Sequence, residues 1–129
     1  MSVEIAIGIG CRKDISAEAI VRVVRQALAL APEGRPVGLH TSGRKSEDNA
    51  LPLAAAALGL DLHFHAEHSL REVAPRVVSH SERVERLMGV GSLAEAAALR
   101  GAGAEARIVV PKLSAEGVSC AIAATGGAA

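Results

Sequence analysis

The sequence predicts one α/β domain of three layers, a mainly parallel sheet with helices on both faces and an antiparallel strand at an edge. Two observations predict it. Short apolar runs alternate with longer segments of helical periodicity, the pattern of parallel strands joined by crossover helices. The 129 residues, half of them hydrophobic, are enough for one independent core. Only 1% are aromatic, with one Phe and no Trp or Tyr, so that core must be closely packed Ala, Val, Leu and Ile.

The first strand is Val3 to Ile9, an apolar run ending in glycines. Ser16 or Asp14 caps the helix that follows, in which Ile20, Val23, Val24, Ala27 and Leu28 recur at helical spacing. Glu18 and Arg22 form an i,i+4 pair off that stripe, and Pro32 and Gly34 stop the helix. The second strand is Val37 to Thr41. A polar loop, Ser42 to Ser46, leads to a second helix that starts no earlier than Ser46, because Pro52 is tolerated only near a first turn. Gly59 ends it.

From Leu60 to His65 the chain alternates. Leu60, Leu62 and Phe64 face one way and Asp61, His63 and His65 the other, which suits a half-buried strand near a sheet edge. Glu67 to Met88 is charged and mostly helical. Ser92-Leu93-Ala94-Glu95 is a capping-box signature opening an alanine-rich helix that Gly101 and Gly103 close. Ala106 to Val110 is the fourth strand, parallel to the first two. Pro111 to Gly117 turns the chain, and Val118 to Ala123 returns antiparallel at an edge. Residues 1–124 form the domain, and 125–129 a disordered tail.

The chain has only three lysines, Lys13, Lys45 and Lys112, and each follows a predicted strand. With those strands parallel, all three lie on the sheet edge where open α/β folds bind ligands. Arg12 and Arg44 stand beside two of them. The arrangement points to an anionic small molecule. Lysines also settle in loops for solvation alone, so the clustering rather than the count carries the inference.

Gly8-Ile9-Gly10-Cys11-Arg12-Lys13 opens like a dinucleotide fingerprint. It has Lys13 in place of the third glycine, and the second strand ends in His40 and Thr41 rather than an acid, so the fingerprint is incomplete. Its physical content remains: glycines admit a ligand to the backbone, beside a helix N-terminus and two cations. Gly89-Val90-Gly91-Ser92 repeats the device, although alone it reads as a turn with an ordinary cap. Cys11 sits among cations, yet no histidine or acid is fixed beside it as a base. His63-x-His65-x-x-His68 has metal-like spacing but no supporting thiolate or acid, and reads as a polar strand face; no metal or cofactor is expected.

Fourteen basic and fourteen acidic residues leave no net charge to attract nucleic acid, and the stacking platforms of single-strand binders are missing. No apolar run spans a membrane, and the two cysteines form no disulfide framework, so the expected location is the cytoplasm.

Gly8-Ile9-Gly10-Cys11-Arg12, Lys45-x-Glu47 before a Leu/Ala helix, Gly89 through Leu99, and Pro111-Lys112 with Gly117-Val118-Ser119 together resemble the C-terminal domain of the cobalamin-biosynthesis protein CbiG, whose stand-alone form is CobE. The resemblance runs over about residues 3 to 123. It implies a role in building the corrin ring of vitamin B12. In full-length relatives the reaction is lactone opening in cobalt-precorrin-5A. The N-terminal region of those relatives has no counterpart here, so corrinoid binding or handing-on is the expectation.

On that basis the expected substrate-binding residues are Gly8, Gly10, Cys11, Arg12, Lys13, Arg44, Lys45, Glu47, Gly91, Ser92, Glu95 and Lys112, with no catalytic residue assigned. Expected partners are a precorrin intermediate and other cobalamin-pathway enzymes; a homo-oligomer is left open. A non-catalytic assembly domain and a phosphate or nucleotide binder are the alternatives.

Overall fold

A computed structural model describes residues 3–31, 34–43 and 49–125, apart from the Met88 side chain. Pro32, the loop residues Arg44, Lys45, Ser46 and Glu47, and the tail 126–129 lie outside the described residues. Thr125, the expected first residue of the tail, is tied to the first strand: its N–H donates to the Glu4 carbonyl at 2.9 Å.

Five strands form one sheet in the order β3-β2-β1-β5-β4. Strand β1 (Glu4–Cys11) feeds helix α1 (Ala17–Leu30), which returns the chain to β2 (Arg35–Ser42), parallel to β1. Ser16 caps α1 with its hydroxyl, accepting from the Ala19 N–H at 3.1 Å. Helix α2 (Ala50–Leu58) then leads to β3 (Leu62–His65), parallel to β2 and at one edge. The charged stretch breaks into α3 (Glu67–Glu72), a 3-10 turn (Ala74–Arg76) and α4 (Glu82–Met88). Helix α5 (Leu93–Ala102) crosses to the far side of the sheet, where β4 (Arg107–Ala115) and β5 (Val118–Ala124) form a hairpin.

Strands β1 to β4 all run in one direction, as the helices between them require. The returning strand is not at the edge. β5 lies between β1 and β4, antiparallel to both, and β4 takes the edge. The reason is burial: Val118 and the run Cys120 to Ala124 are inaccessible on both faces, so this strand needs neighbours on both sides. β4 also runs further than expected, through Pro111 to Ala115. An edge strand tolerates a residue without an N–H. Glu116 (φ 55°) and Gly117 (φ 80°) then make the two-residue hairpin turn, a backbone shape in which glycine is free of strain.

Alternation along β1 divides the core. Ile5, Ile7 and Ile9 pack with α1 and α2, while Ala6 packs with α5 and α3. Helix α5 is buried almost all round, from Ala94 to Leu99. It lies directly on the sheet backbone. A methyl group on Gly8 would overlap the Ala94 carbonyl and stand 2.6 Å from the Ala98 nitrogen. Gly8 therefore serves packing between helix and strand.

Parallel pairing sets His40 opposite His63. The two rings stack with centroids 4.8 Å apart, and His65 stacks on the same His40 ring at 5.1 Å. His40 is buried, its Nδ1 lies 2.9 Å from His65 Nε2, and its Nε2 has no partner. A buried lone pair is less costly than a buried N–H donor, so we assign the proton to His40 Nδ1, which donates to His65. Burial first, then the neighbouring His65 and His63, push the His40 pKa down to about 4. His68 lies on α3, outside this stack.

Two predictions follow from this packing. Gly8→Ala should destabilise the fold by about 1–3 kcal/mol, the usual cost of overpacking, measured by urea unfolding. His40 binds a proton more readily unfolded (ordinary value 6.5) than folded (about 4). Stability should thus be full above about pH 6.5 and fall as pH drops towards 4. Melting temperature against pH checks this, and His40→Gln should flatten that slope.

Candidate functional site

An open cleft of about 1060 Å³ lies where the C-terminal ends of β1 and β4 meet the start of β5. On one side of β1 the chain winds out to β2 and β3. On the other it returns through α5 to the β4–β5 hairpin. This reversal of direction is where an open sheet parts to receive a ligand.

Four cations line the cleft. Arg12 and Lys13 come from the end of β1, Lys112 from β4 and Arg83 from α4. Among the described residues none of the four has an ion-pair partner, and no carboxylate or histidine lines the cleft. Three acidic groups are engaged elsewhere by arginines: Glu4 with Arg35, Glu116 with Arg22 at 2.6 Å, and Glu72 with Arg100 at 3.8 Å. Four unpaired like charges around one concavity produce a local positive field that a net charge of zero conceals. Val84, Leu87, Leu93, Ala94 and Val118 supply an apolar floor and wall. Leu87 remains 59% exposed there.

Of the expected site residues, the structure brings Gly10, Cys11, Arg12, Lys13, Ser92 and Lys112 into this cleft. Cys11 is half-buried beside Arg12 and Lys13. Cys120, one strand away, is buried, which pushes its thiol up to about 12 and keeps it protonated. Gly8 and Gly91 are not in the cleft. Gly91 faces the backbone of Ser79, where a methyl group would come within 2.6 Å of the carbonyl. Arg44, Lys45 and Glu47 lie outside the described residues.

The capping box at Ser92 is half-formed. Ser92 Oγ accepts from the Glu95 N–H at 3.2 Å, as a cap should. The Glu95 carboxylate turns away, fully buried. Its Oε1 accepts from the N–H groups of Val78 and Ser79, and its Oε2 from the Ser79 hydroxyl and the Lys112 N–H, all at 2.6–2.9 Å. Burial raises its pKa, but the hydrogen bonds from Ser79, Lys112 and Val78 outweigh this and hold it below the ordinary carboxylate range.

Arg83, Val84 and Leu87 escape a reading by periodicity, because α4 has only seven residues. Arg83 reads from sequence as part of an outer helix; the structure puts it on the wall of the cleft. The one available signal is an exposed leucine on a charged helix. Among the described residues no group of three or more His, Cys, Asp or Glu is arranged to hold a metal ion. No described helix is long and apolar enough to cross a membrane.

The family model described as Cobalamin synthesis G C-terminus matches residues 5–123. Protein CobE of Sinorhizobium sp is 30% identical over 122 residues, 92% of this chain and 79% of that protein. The crystal structure of CobE, described as a protein from the cobalamin (vitamin B12) biosynthetic pathway, superposes with a TM-score of 0.86 at 30% identity, covering 96% of this chain and 92% of its own. The cobalamin biosynthesis protein chiG from Agrobacterium tumefaciens str. C58 superposes with a TM-score of 0.77 at 35% identity, over 95% and 99% of the two chains. These matches run from the first strand to the last and include every described element of the cleft, so the chain belongs to the Cobalamin synthesis G C-terminus family of cobalamin-biosynthesis proteins.

Proposed function

We propose that the chain binds a corrin-ring precursor in the strand-end cleft, holding its acetate and propionate side chains by Arg12, Lys13, Arg83 and Lys112. The observation that carries this is the set of four unpaired cations in a concavity free of described carboxylates. A polycarboxylate macrocycle satisfies them together, and its hydrocarbon face covers Val84, Leu87 and Leu93. The volume of about 1060 Å³ lies just above the usual range of small-molecule sites, about 300 to 1,000 Å³. A nucleotide would leave much of that apolar wall uncovered.

Cations around an apolar wall make a binding surface, so binding and handing-on is the reading the cleft supports. A second reading, assembly with other cobalamin-pathway enzymes, is favoured by one feature. Leu30 and Leu53 are 66% and 64% exposed on the α1 and α2 side of the sheet, away from the cleft. Pull-down in the absence of ligand tests it.

The binding reading is tested by visible-absorbance titration with cobyrinic acid, a corrin polycarboxylate. Cyanocobalamin, whose side chains are amides, and ATP are the controls. A charge-assisted hydrogen bond is worth about 1.5–3 kcal/mol, so Arg12→Ala, Arg83→Ala and Lys112→Ala should each weaken binding by roughly tenfold to a hundredfold. Arg25→Ala, on the exposed side of α1, should not. Affinity should fall as salt rises. Equal affinities for all these proteins, or preference for ATP, would refute the proposal.

A further inference from the structure

We infer that Glu95 and the Pro111–Lys112 bulge form one positioning device, which aims the Lys112 ammonium into the cleft and holds the segment carrying α4 opposite it. The inference deepens the binding reading and rests on it for its affinity arm.

Two irregularities motivate it. The first is in β4. From Ile108 to Leu113 that strand advances five residues while β5 advances only three, from Ala123 to Cys120. Extra residues of this kind bend a strand and release backbone groups from the ladder. Pro111 and Lys112 fall inside the irregular stretch. Pro111 has no N–H to lose. The Lys112 N–H does, and it leaves the ladder for Glu95 Oε2 at 2.8 Å. Bulges of this sort re-aim side chains next to binding sites.

The second irregularity is a fully buried carboxylate in a helix of alanines. A buried charge is costly unless every lone pair is used. All four hydrogen bonds to Glu95 come from the two segments that flank the cleft. Val78 and Ser79 precede α4, which carries Arg83 and Leu87. A further bond, Ser81 N–H to the Gly91 carbonyl at 2.8 Å, ties the foot of α4 to the start of α5. Lys112 brings the opposing cation. One rigid side chain, set on the most buried helix, thus fixes the distance between two cationic walls.

The charge is essential to this geometry. A glutamine has one acceptor oxygen in place of two. With that oxygen kept under Val78 and Ser79, its NH₂ would face the Lys112 N–H, donor against donor. Glu95→Gln should therefore release Lys112 selectively, although Glu95 does not line the cleft.

The test is a double-mutant cycle on the full chain with cobyrinic acid as the probe, alongside amide hydrogen exchange without ligand. Glu95→Gln should weaken binding about tenfold, as should Lys112→Ala, and the double variant should be no weaker than Lys112→Ala alone. A merely destabilising change would instead add to Lys112→Ala. Additive losses, or wild-type affinity in Glu95→Gln, would overturn the inference. If wild type fails to bind cobyrinic acid, the binding reading falls, and exchange decides the positioning separately. The Lys112 amide should be protected like the α5 core in wild type and exchange fast in Glu95→Gln, with β5 unchanged. Should that variant not fold, the wild-type arm stands alone: a Lys112 amide exchanging like an exposed edge amide would sink the inference.

Discussion

The close seat of α5 on β1 is the constraint on which the rest depends. Ala94, Ala97 and Ala98 have methyl side chains, and Gly8 has none, so helix and strand approach to backbone contact. A larger residue at either surface would lift the helix. With the helix so close, its first turn reaches the plane of the strand ends. Ser92, Leu93 and Ala94 then become cleft lining, and Glu95 comes within hydrogen-bond range of β4. The bulkier buried Ile, Val and Leu lie mainly on the α1 and α2 side.

Charge organisation explains how a protein with zero formal net charge offers an anion site. Several described acids pair with bases on the outer surface, where each pair is worth little energy, about 0–1 kcal/mol. Their value lies in what they leave unmatched. With Glu4, Glu72 and Glu116 engaged by arginines elsewhere, no described carboxylate competes for Arg12, Lys13, Arg83 or Lys112. Glu95, which bonds the Lys112 backbone, is withdrawn into the core and bound to backbone N–H groups and one hydroxyl, never to an ammonium.

Much of this is legible in sequence, and the illegible parts share a cause. The apolar stripe of α1, the Ser16 cap, the Gly59 stop and the placement of Lys13 just after β1 are local signals, readable within a few residues, whereas Lys112, read as following the fourth strand, lies inside β4 because that strand continues past Pro111. The position of β5 is not a local signal, because insertion between β1 and β4 depends on which strand the hairpin meets. A continuous apolar run fits an interior strand, yet the same run following a turn reads as an edge. Arg83 was hidden by the shortness of α4, and His40 by pairing that joins residues 23 to 25 apart. Glu95 is the instructive case. The pattern Ser-x-x-Glu is satisfied by sequence, and the serine behaves as the pattern requires. The glutamate finds four donors from distant segments and leaves the cap.

Buried polar groups in this fold thus divide by the completeness of their hydrogen bonding. Glu95 has both oxygens doubly occupied and rigidifies what it touches. His40 has one nitrogen occupied and one orphaned, and burial lowers its pKa to about 4. The two therefore respond to acid in separate ranges, His40 between about pH 6.5 and 4 and Glu95 only below the ordinary carboxylate range. They also lie at different places, His40 under α5 at the β2–β3 side and Glu95 at the cleft. Mild acid should loosen the histidine side of the sheet while the cleft keeps its shape, because the carboxylate that holds Lys112 is still ionised there.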